Sequence, residues 1–594
     1  MNRSRTRLMP ALVLPLVPLA AWWLAARAQE PLAVNAHVLE LEAKRIAAVE
    51  KVRPAVVAVF ARGGRGGGSG VLISADGYAL TNFHVVQPAG PVMQCGLADG
   101  VLYDAVVVGI DPVGDVALIK LLPKEPGQKF PFAPMGDSDT VKVGDWSIAM
   151  GNPFLLATDF TPTVTFGLVS GTHRYQYPAG TILEYTDCIQ IDTSINPGNS
   201  GGPLFNLDGE IIGINGRGSF EKRGRINSGV GYAISINQIK NFLGHLRAGL
   251  VVDHATLGAL VKTDEEGRLQ VTQILEDSDA YRRGLRELDF IERFAGRPVT
   301  TVNQYKNVLG IYPRGWRLPL TYRHIDEQTG ESKSRVVLVR LMGATPRVVE
   351  EEKPGKPGEK PPPGKPFPGK PGVPPVPADS PAAKLYEPKP GYANHYFNKL
   401  ERQRLYEAFR KHGDFAKLAG GWSFAGEMKQ NAVTTTFDDR IAKMKIGQLD
   451  YQVEPLKVGE VAENLREPRG SGGLLVALYQ WRRLLTVGEK GFEAEYAYGG
   501  YEPFYPDATP QSRVETEVLN TEHAGVVCKW FFSRQDQTLL GMECYIEKDG
   551  DPCEITFLDY KDVNGRRLPH RLVVRYQDRE YATFIIKSYT LAEK

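Results

Sequence analysis

Gln190-Ile191-Asp192-Thr193-Ser194-Ile195-Asn196-Pro197-Gly198-Asn199-Ser200-Gly201-Gly202-Pro203-Leu204 seats one serine in a glycine-bracketed loop. A serine hydroxyl attacks a carbonyl only when a neighbouring base takes its proton. The attack builds an oxyanion, which needs donors already aimed at it. Glycines at 198, 201 and 202 let the backbone turn tightly and approach a substrate closely. The N–H groups of Gly198 and Ser200 are the natural oxyanion donors. A Gly-X-Ser-Gly-Gly run also fits an ordinary turn, so other residues must decide.

The required base stands in Thr81-Asn82-Phe83-His84-Val85-Val86, at the end of an apolar run. An orienting carboxylate stands in Asp111-Pro112-Val113-Gly114-Asp115-Val116-Ala117-Leu118-Ile119-Lys120, where Asp115 precedes a strand-like stretch. The chain order is then His84, Asp115, Ser200, as in chymotrypsin-type enzymes. The other nine histidines (37, 173, 245, 254, 324, 395, 412, 523 and 570) have no such setting and read as surface or packing residues.

Thr81–Val86, Asp111–Lys120, Gly151–Phe154, Val164–Gly171, Asn196–Leu204 and Gly229–Ile234 together resemble the HtrA (Deg) family of serine proteases, in the right order over roughly Val52–Leu246. The resemblance implies a chymotrypsin-like double β-barrel. It makes His84 the general base, Asp115 its orienter, Ser200 the nucleophile, and Gly198 with Ser200 the oxyanion hole. It places Ile195, Val230 and Gly231 beside the primary specificity pocket. No acidic residue stands at the pocket base, so small or medium apolar side chains are expected at the cleavage point. It also implies a homotrimer acting on unfolded or exposed polypeptides, without cofactor or metal. Leu155–Thr163 looks longer than the family's usual loop, which gates the active site, so low resting activity is expected.

Composition agrees with an ordinary globular chain: 594 residues, 42% hydrophobic and 24% charged. That length is too great for one core and suggests three or four domains. A net charge of +2, with no basic patch interleaved with aromatics, gives no reason to invoke nucleic acid. Arg3, Arg5 and Arg7 precede an uncharged stretch, Leu8–Ala26, and a small-X-small site at Ala26-Arg27-Ala28. Two readings remain, a cleaved signal peptide (1–28) or an uncleaved anchor. Pro10, Pro15 and Pro18 disturb a spanning helix and favour cleavage. Either way the protease (32–250) is exported, to the periplasm or cell envelope.

Five cysteines make no disulfide scaffold in a chain this long. Cys95 and Cys188 read as small buried hydrophobes. Cys528 and Cys544 flank a polar turn at Gln535–Gln537 almost symmetrically, as cross-strand neighbours would.

A second unit, 255–342, shows strand signals at Leu257–Val261, Leu269–Leu275, Phe290–Phe294 and Leu318–Tyr322, with a short helix at Asp279–Leu285. Ile274–Leu285 and Phe290–Val299 resemble the middle of a PDZ domain. Such domains add an extended peptide to a sheet edge and hold its carboxylate on backbone N–H groups. Leu257, Gly258, Ala259 and Leu260 would form that loop. Asp279, Arg283 and Leu288 depart from the pattern, where proline, alanine and glycine are usual.

Residues 346–390 form a Pro/Gly/Lys-rich linker, expected to be extended and semi-rigid. The remaining 392–594 read as an α+β domain, with helices near Asn394–His412 and Leu474–Leu485. Strands follow at Val526–Ser533, Leu539–Glu547, Cys553–Tyr560, His570–Tyr576 and Tyr581–Tyr589, joined by hairpin turns at Asp549-Gly550 and Asn564-Gly565. Its closing pattern faintly resembles lipoprotein-carrier half-barrels. The expected architecture is a mainly β multidomain chain. It fits an exported HtrA-type endopeptidase, or alternatively a chaperone or binding protein on a protease scaffold whose carboxy-terminal domain recruits a lipid, polymer or protein.

Overall fold

The computed structural model describes residues 35–62, 67–152, 159–176, 184–196, 198–220, 227–325, 331–344, 380–454 and 463–593. The segment 1–28, the linker up to residue 379, and the first four residues of Leu155–Thr163 lie outside the described residues. The chain divides into two units, Met1–Ala48 and Val49–Lys594, and the barrels and sheets all lie in the second.

Two six-stranded barrels form the amino-terminal part of this unit. The first runs Val56–Phe60, Gly67–Leu72, Tyr78–Thr81, Val116–Leu121, Leu102–Asp111, Val92–Leu97 around its closed circuit. The second runs Pro203–Phe205, Ile211–Phe220, Asn227–Ser235, Tyr185–Ile191, Thr163–Gln176, Trp146–Gly151. Their strands read as short apolar, β-branched runs because a small closed barrel buries side chains inside and covers most outside faces. Val-Val-Ala-Val at 56–59 is buried throughout. Helix Ile236–Arg247 follows the second barrel and buries Ile236, Ile239, Phe242, Leu243 and Leu246, a helical spacing of one face.

Residues from 255 form a six-stranded sheet. Its main order is Ala259–Thr263, Leu269–Ile274, Phe290–Phe294, Arg317–Ile325, Ser332–Arg340, with Arg297–Pro298 paired to Phe290–Phe294. Ala259–Thr263 is an edge strand. A helix the sequence reading missed, Val302–Leu309, is opened by a Thr301–Gln304 capping box. It sits against the second barrel: Asn307 Nδ2 donates to the His173 carbonyl (2.6 Å) and Asn307 Oδ1 accepts the Asp187 N–H (2.9 Å).

The carboxy-terminal region is one eleven-stranded antiparallel sheet. From Leu449–Val453 at one edge it steps back through the strands to Trp422–Met428, crosses to Arg579–Leu591, and descends to Glu495–Phe504. Helix Leu474–Val487 packs into this sheet's core with twelve of its residues buried, so it is apolar nearly all round rather than striped. Cys528 faces Cys544, and Cys544 faces Cys553, as register partners. All five thiols are free and buried.

The chain re-enters the described residues at Ser380 and docks directly on the first barrel. Asn394 caps helix His395–Arg410, and its Nδ2 donates to the Val107 carbonyl (2.8 Å). The Ala393 N–H reaches the Gly249 carbonyl (2.9 Å), and Asn398 Nδ2 reaches Ala248 (2.9 Å) and Tyr498 (2.8 Å) carbonyls. Gly244 has no room for a side chain, because a Cβ there would lie 2.3 Å from the Tyr501 ring.

Three buried or mostly buried arginines join the six-stranded sheet to the eleven-stranded one. Arg283 pairs with Asp551 (2.6 Å) and Asp578 (2.9 Å), and Arg317 with Glu554 (2.8 Å) and Asp578. Arg340 pairs with Glu502 (2.6 Å) and Glu543. Trp316 Nε1 adds a bond to the Tyr501 carbonyl (2.8 Å).

Candidate active site

Strand Tyr78–Thr81 ends at Asn82, whose extended backbone starts the short helix Phe83–Ala89 and so turns His84 out toward solvent. Asn82 Nδ2 donates to the Asp115 carbonyl (2.8 Å), and the Phe83 N–H points at the same oxygen (3.3 Å). Asp115 sits in the hairpin turn before Val116–Leu121 with φ 58°, a left-handed conformation that aspartate tolerates better than most residues. Asp111 shapes that turn. Its Oδ1 accepts the Val113 (3.1 Å) and Gly114 (2.8 Å) N–H groups.

The structure brings His84 and Asp115 together. His84 Nδ1 lies 2.8 Å from Asp115 Oδ2, and the His84 N–H donates to Oδ1 (3.0 Å). The Asp115 side chain is 0% exposed and the imidazole 40%. A buried carboxylate holds the ring while its other face stays open. Tyr185 donates a third bond, from its hydroxyl to Asp115 Oδ2 (2.6 Å).

Ser200 stands in the loop between the strands Tyr185–Ile191 and Pro203–Phe205. Ser69, in the first barrel, laces this loop. Its N–H donates to the Ser200 carbonyl (2.8 Å), its Oγ donates to the Gly198 carbonyl (2.6 Å), and its Oγ accepts the Asn152 N–H (2.9 Å). Gly201 adopts φ 83°, and a Cβ there would lie 2.3 Å from the Ser69 carbonyl oxygen. Only glycine fits. Among the described residues, the Gly198 and Ser200 N–H groups donate to no other group. Ser200 Oγ rests on the Gly216 carbonyl (3.3 Å), and no bond joins it to His84 among the described residues.

Ile195 is buried against Gly231, where a Cβ would stand 2.9 Å from its Cδ1. Val230 is partly exposed and precedes Gly231, whose register partner on the next strand is Ile191. The lining is therefore apolar and close. In the other candidate loop Leu257 is buried, Leu260 is 62% exposed, and Gly258 has φ 75°. The Gly258 N–H is taken by the Thr256 hydroxyl (3.2 Å), and its carbonyl accepts the Leu275 N–H (2.8 Å). Among the described residues no group of three or more His, Cys, Asp or Glu is placed to hold a metal.

The sequence reading missed Ser69, Tyr185 and His254. His254, read there as a packing or surface residue, is buried and binds the Asp111 carboxylate through Nε2 (2.9 Å to each oxygen). Burial alone lowers the imidazole, but Asp111 overrides it and holds the value above the ordinary 6.5. The folded value exceeds the unfolded one, so this contribution is complete below about pH 6.5 and is lost as pH climbs through the folded value. The wild-type melting temperature should fall across that upper window. His254→Gln should melt lower at pH 6 and show a flatter profile, as thermal scans from pH 5 to 9 would reveal.

The trypsin-like peptidase domain family matches residues 68–214. The "Probable periplasmic serine endoprotease DegP-like" of Chlamydia muridarum is 34% identical over 308 residues, 48% of this chain and 59% of the relative. "Periplasmic serine endoprotease DegP" of Escherichia coli is 36% identical over 285 residues, 44% of this chain and 57% of the relative. The chain thus spans less than two thirds of the length of these curated relatives. The solved structure "HtrA-type protease AlgW with tripeptide" is 29% identical, covers 51% of this chain and 98% of its own, and has a TM-score of 0.40. The amino-terminal half, which carries the matched residues, both barrels and the histidine–aspartate pair, is therefore similar to trypsin-like serine proteases of the DegP type.

Proposed function

We propose that this chain is an exported serine endopeptidase cleaving unfolded or exposed polypeptides, with His84 as base, Asp115 as its orienter and Ser200 as nucleophile. The observation that carries the reading is the fully buried Asp115 carboxylate bonded to His84 Nδ1. A buried charge is costly unless paired, and here its partner is a ring half open to solvent. In the reaction Ser200 Oγ leaves the Gly216 carbonyl, gives its proton to His84 Nε2 and attacks the scissile carbonyl. The Gly198 and Ser200 N–H groups receive the oxyanion. His84 then protonates the leaving amine, and water repeats the sequence to free the acyl group. Ile195, Val230 and Gly231 favour small or medium apolar side chains before the cut.

Periplasmic names among the relatives support export. Among the described residues no helix is long and apolar enough to cross a membrane. We read 32–250 as the protease, 255–342 as PDZ-like and 392–594 as a separate α+β domain. The free edge Ala259–Thr263 would take an extended peptide, with Leu257–Leu260 beneath its carboxylate. A homotrimer follows from family likeness.

The test is incubation of the secreted chain with unfolded casein and, separately, with a fluorophosphonate, which transfers phosphorus to an activated serine with loss of fluoride. Casein fragments and a label on the Ser200 peptide are expected. A folded chain that does neither overturns the reading.

A further inference from the structure

We infer that Tyr185 is a positioning residue of the catalytic apparatus, fixing the Asp115 carboxylate from the second barrel. The inference rests on the triad reading of His84, Asp115 and Ser200.

Asp115 and His84 both belong to the first barrel, whose Ser69 holds the backbone of the Ser200 loop, while the second barrel reaches the Asp115 side chain itself through Tyr185. Tyr185 opens the strand Tyr185–Ile191 of the second. Its hydroxyl donates to Asp115 Oδ2 (2.6 Å), the oxygen that also receives His84 Nδ1–H (2.8 Å). The other oxygen takes the His84 N–H (3.0 Å). Tyr185 is 3% exposed and Asp115 0%, so no bulk water substitutes for a lost donor. A hydrogen bond to a buried carboxylate is charge-assisted and directional. The Tyr185 bond therefore fixes where Oδ2 sits, and Oδ2 fixes the plane and tautomer of His84.

Gly216 supplies an independent observation. A Cβ built there would lie 2.6 Å from Tyr185 Cε1 and 3.1 Å from its hydroxyl oxygen. The phenol ring fills the space a side chain at 216 would need. Gly216 also carries the carbonyl on which Ser200 Oγ rests (3.3 Å). One side chain thus touches the carboxylate at one end of the triad and braces the residue holding the nucleophile at the other.

The tyrosine is itself held. The Glu184 N–H donates to the Val113 carbonyl (2.9 Å), tying the preceding residue to the Asp111–Asp115 turn. Two residues on, Asp187 accepts bonds from His173 Nδ1 (2.6 Å) and Arg297 (2.9 Å). Burial would raise the Asp187 carboxyl, yet these cations hold it below the usual carboxylate range.

The experiment compares peptide hydrolysis and melting temperature in the full chain for wild type, Tyr185→Phe, Tyr185→Ala, and Tyr185→Ala with Gly216→Ser. Tyr185→Phe keeps the ring and removes only the donor. Its kcat should fall roughly ten- to a hundredfold, with KM within about twofold and melting within a few degrees. Tyr185→Ala should lose at least as much. Adding Gly216→Ser puts a hydroxyl near the point the phenol oxygen vacated and should restore kcat about tenfold over Tyr185→Ala. Wild-type kcat in Tyr185→Phe overturns the inference. So does a loss that tracks melting temperature and is not relieved by Gly216→Ser, since packing alone would do that. A folded wild type that neither cleaves peptide nor takes a fluorophosphonate overturns the triad reading itself, a failure separate from that of Tyr185.

Discussion

Ser200→Ala should lower casein turnover by a factor on the order of 10⁴ to 10⁶ and leave the melting temperature within a few degrees. The size follows from what the change removes. In the proposed reaction Ser200 Oγ is the group that bonds to the carbonyl carbon, and His84 has no purpose without it. The loss should resemble that from deleting the whole triad, because its members act as a unit. Stability is spared because the hydroxyl makes one long bond, to Gly216, and the loop is held by backbone groups through Ser69. Initial-rate assays beside thermal scans check both halves. Activity near wild type would remove Ser200 from the mechanism.

Arg340→Ala should cost about 3 kcal/mol of stability, read as a lowered urea midpoint. Removing the guanidinium strands Glu543 and Glu502, both buried, where carboxylates cannot find water. The figure stays at the low end for a broken buried pair, because Lys529 still reaches Glu502 (2.7 Å) and Tyr545 still reaches Glu543 (2.7 Å). Arg340→Met with Glu543→Met should recover most of the loss. That double change removes both charges and leaves the Glu502–Lys529 pair intact. An unchanged midpoint in Arg340→Ala would mean that the two sheets do not depend on this contact.

The catalytic half was legible because its chemistry is written locally. Glycines around Ser200, an apolar strand before His84 and a turn before Asp115 each announce themselves within ten residues. Tyr185 does not. A tyrosine at the start of a strand has no motif, and its partner lies 70 positions away. His254 hid for the same reason, 143 positions from Asp111. In the carboxy-terminal region, strands rich in aromatic and β-branched residues, such as Val526–Ser533, were readable. Asn431–Phe437 was not, since a buried threonine, Thr435, stands on its inward face between Val433 and Phe437. No sequence signal marks arginines 283, 317 and 340 as inward-facing, and only the fold shows them turned against carboxylates. The nearly symmetric turn made Cys528 and Cys544 readable as cross-strand neighbours, but their direct register is fixed only by the fold.

The segment 346–379 joins two pieces that are already held together. Before it, residues up to 343 are clamped to the eleven-stranded sheet by Arg283, Arg317 and Arg340. After it, residues from 393 onward are bonded to Gly249 and Val107 of the protease. A cut anywhere within it would sever the covalent chain without severing the molecule. The two fragments would part on a denaturing gel and travel as one body through a sizing column. Shedding the carboxy-terminal domain would take more than proteolysis. The buried ion pairs would have to be dissolved as well.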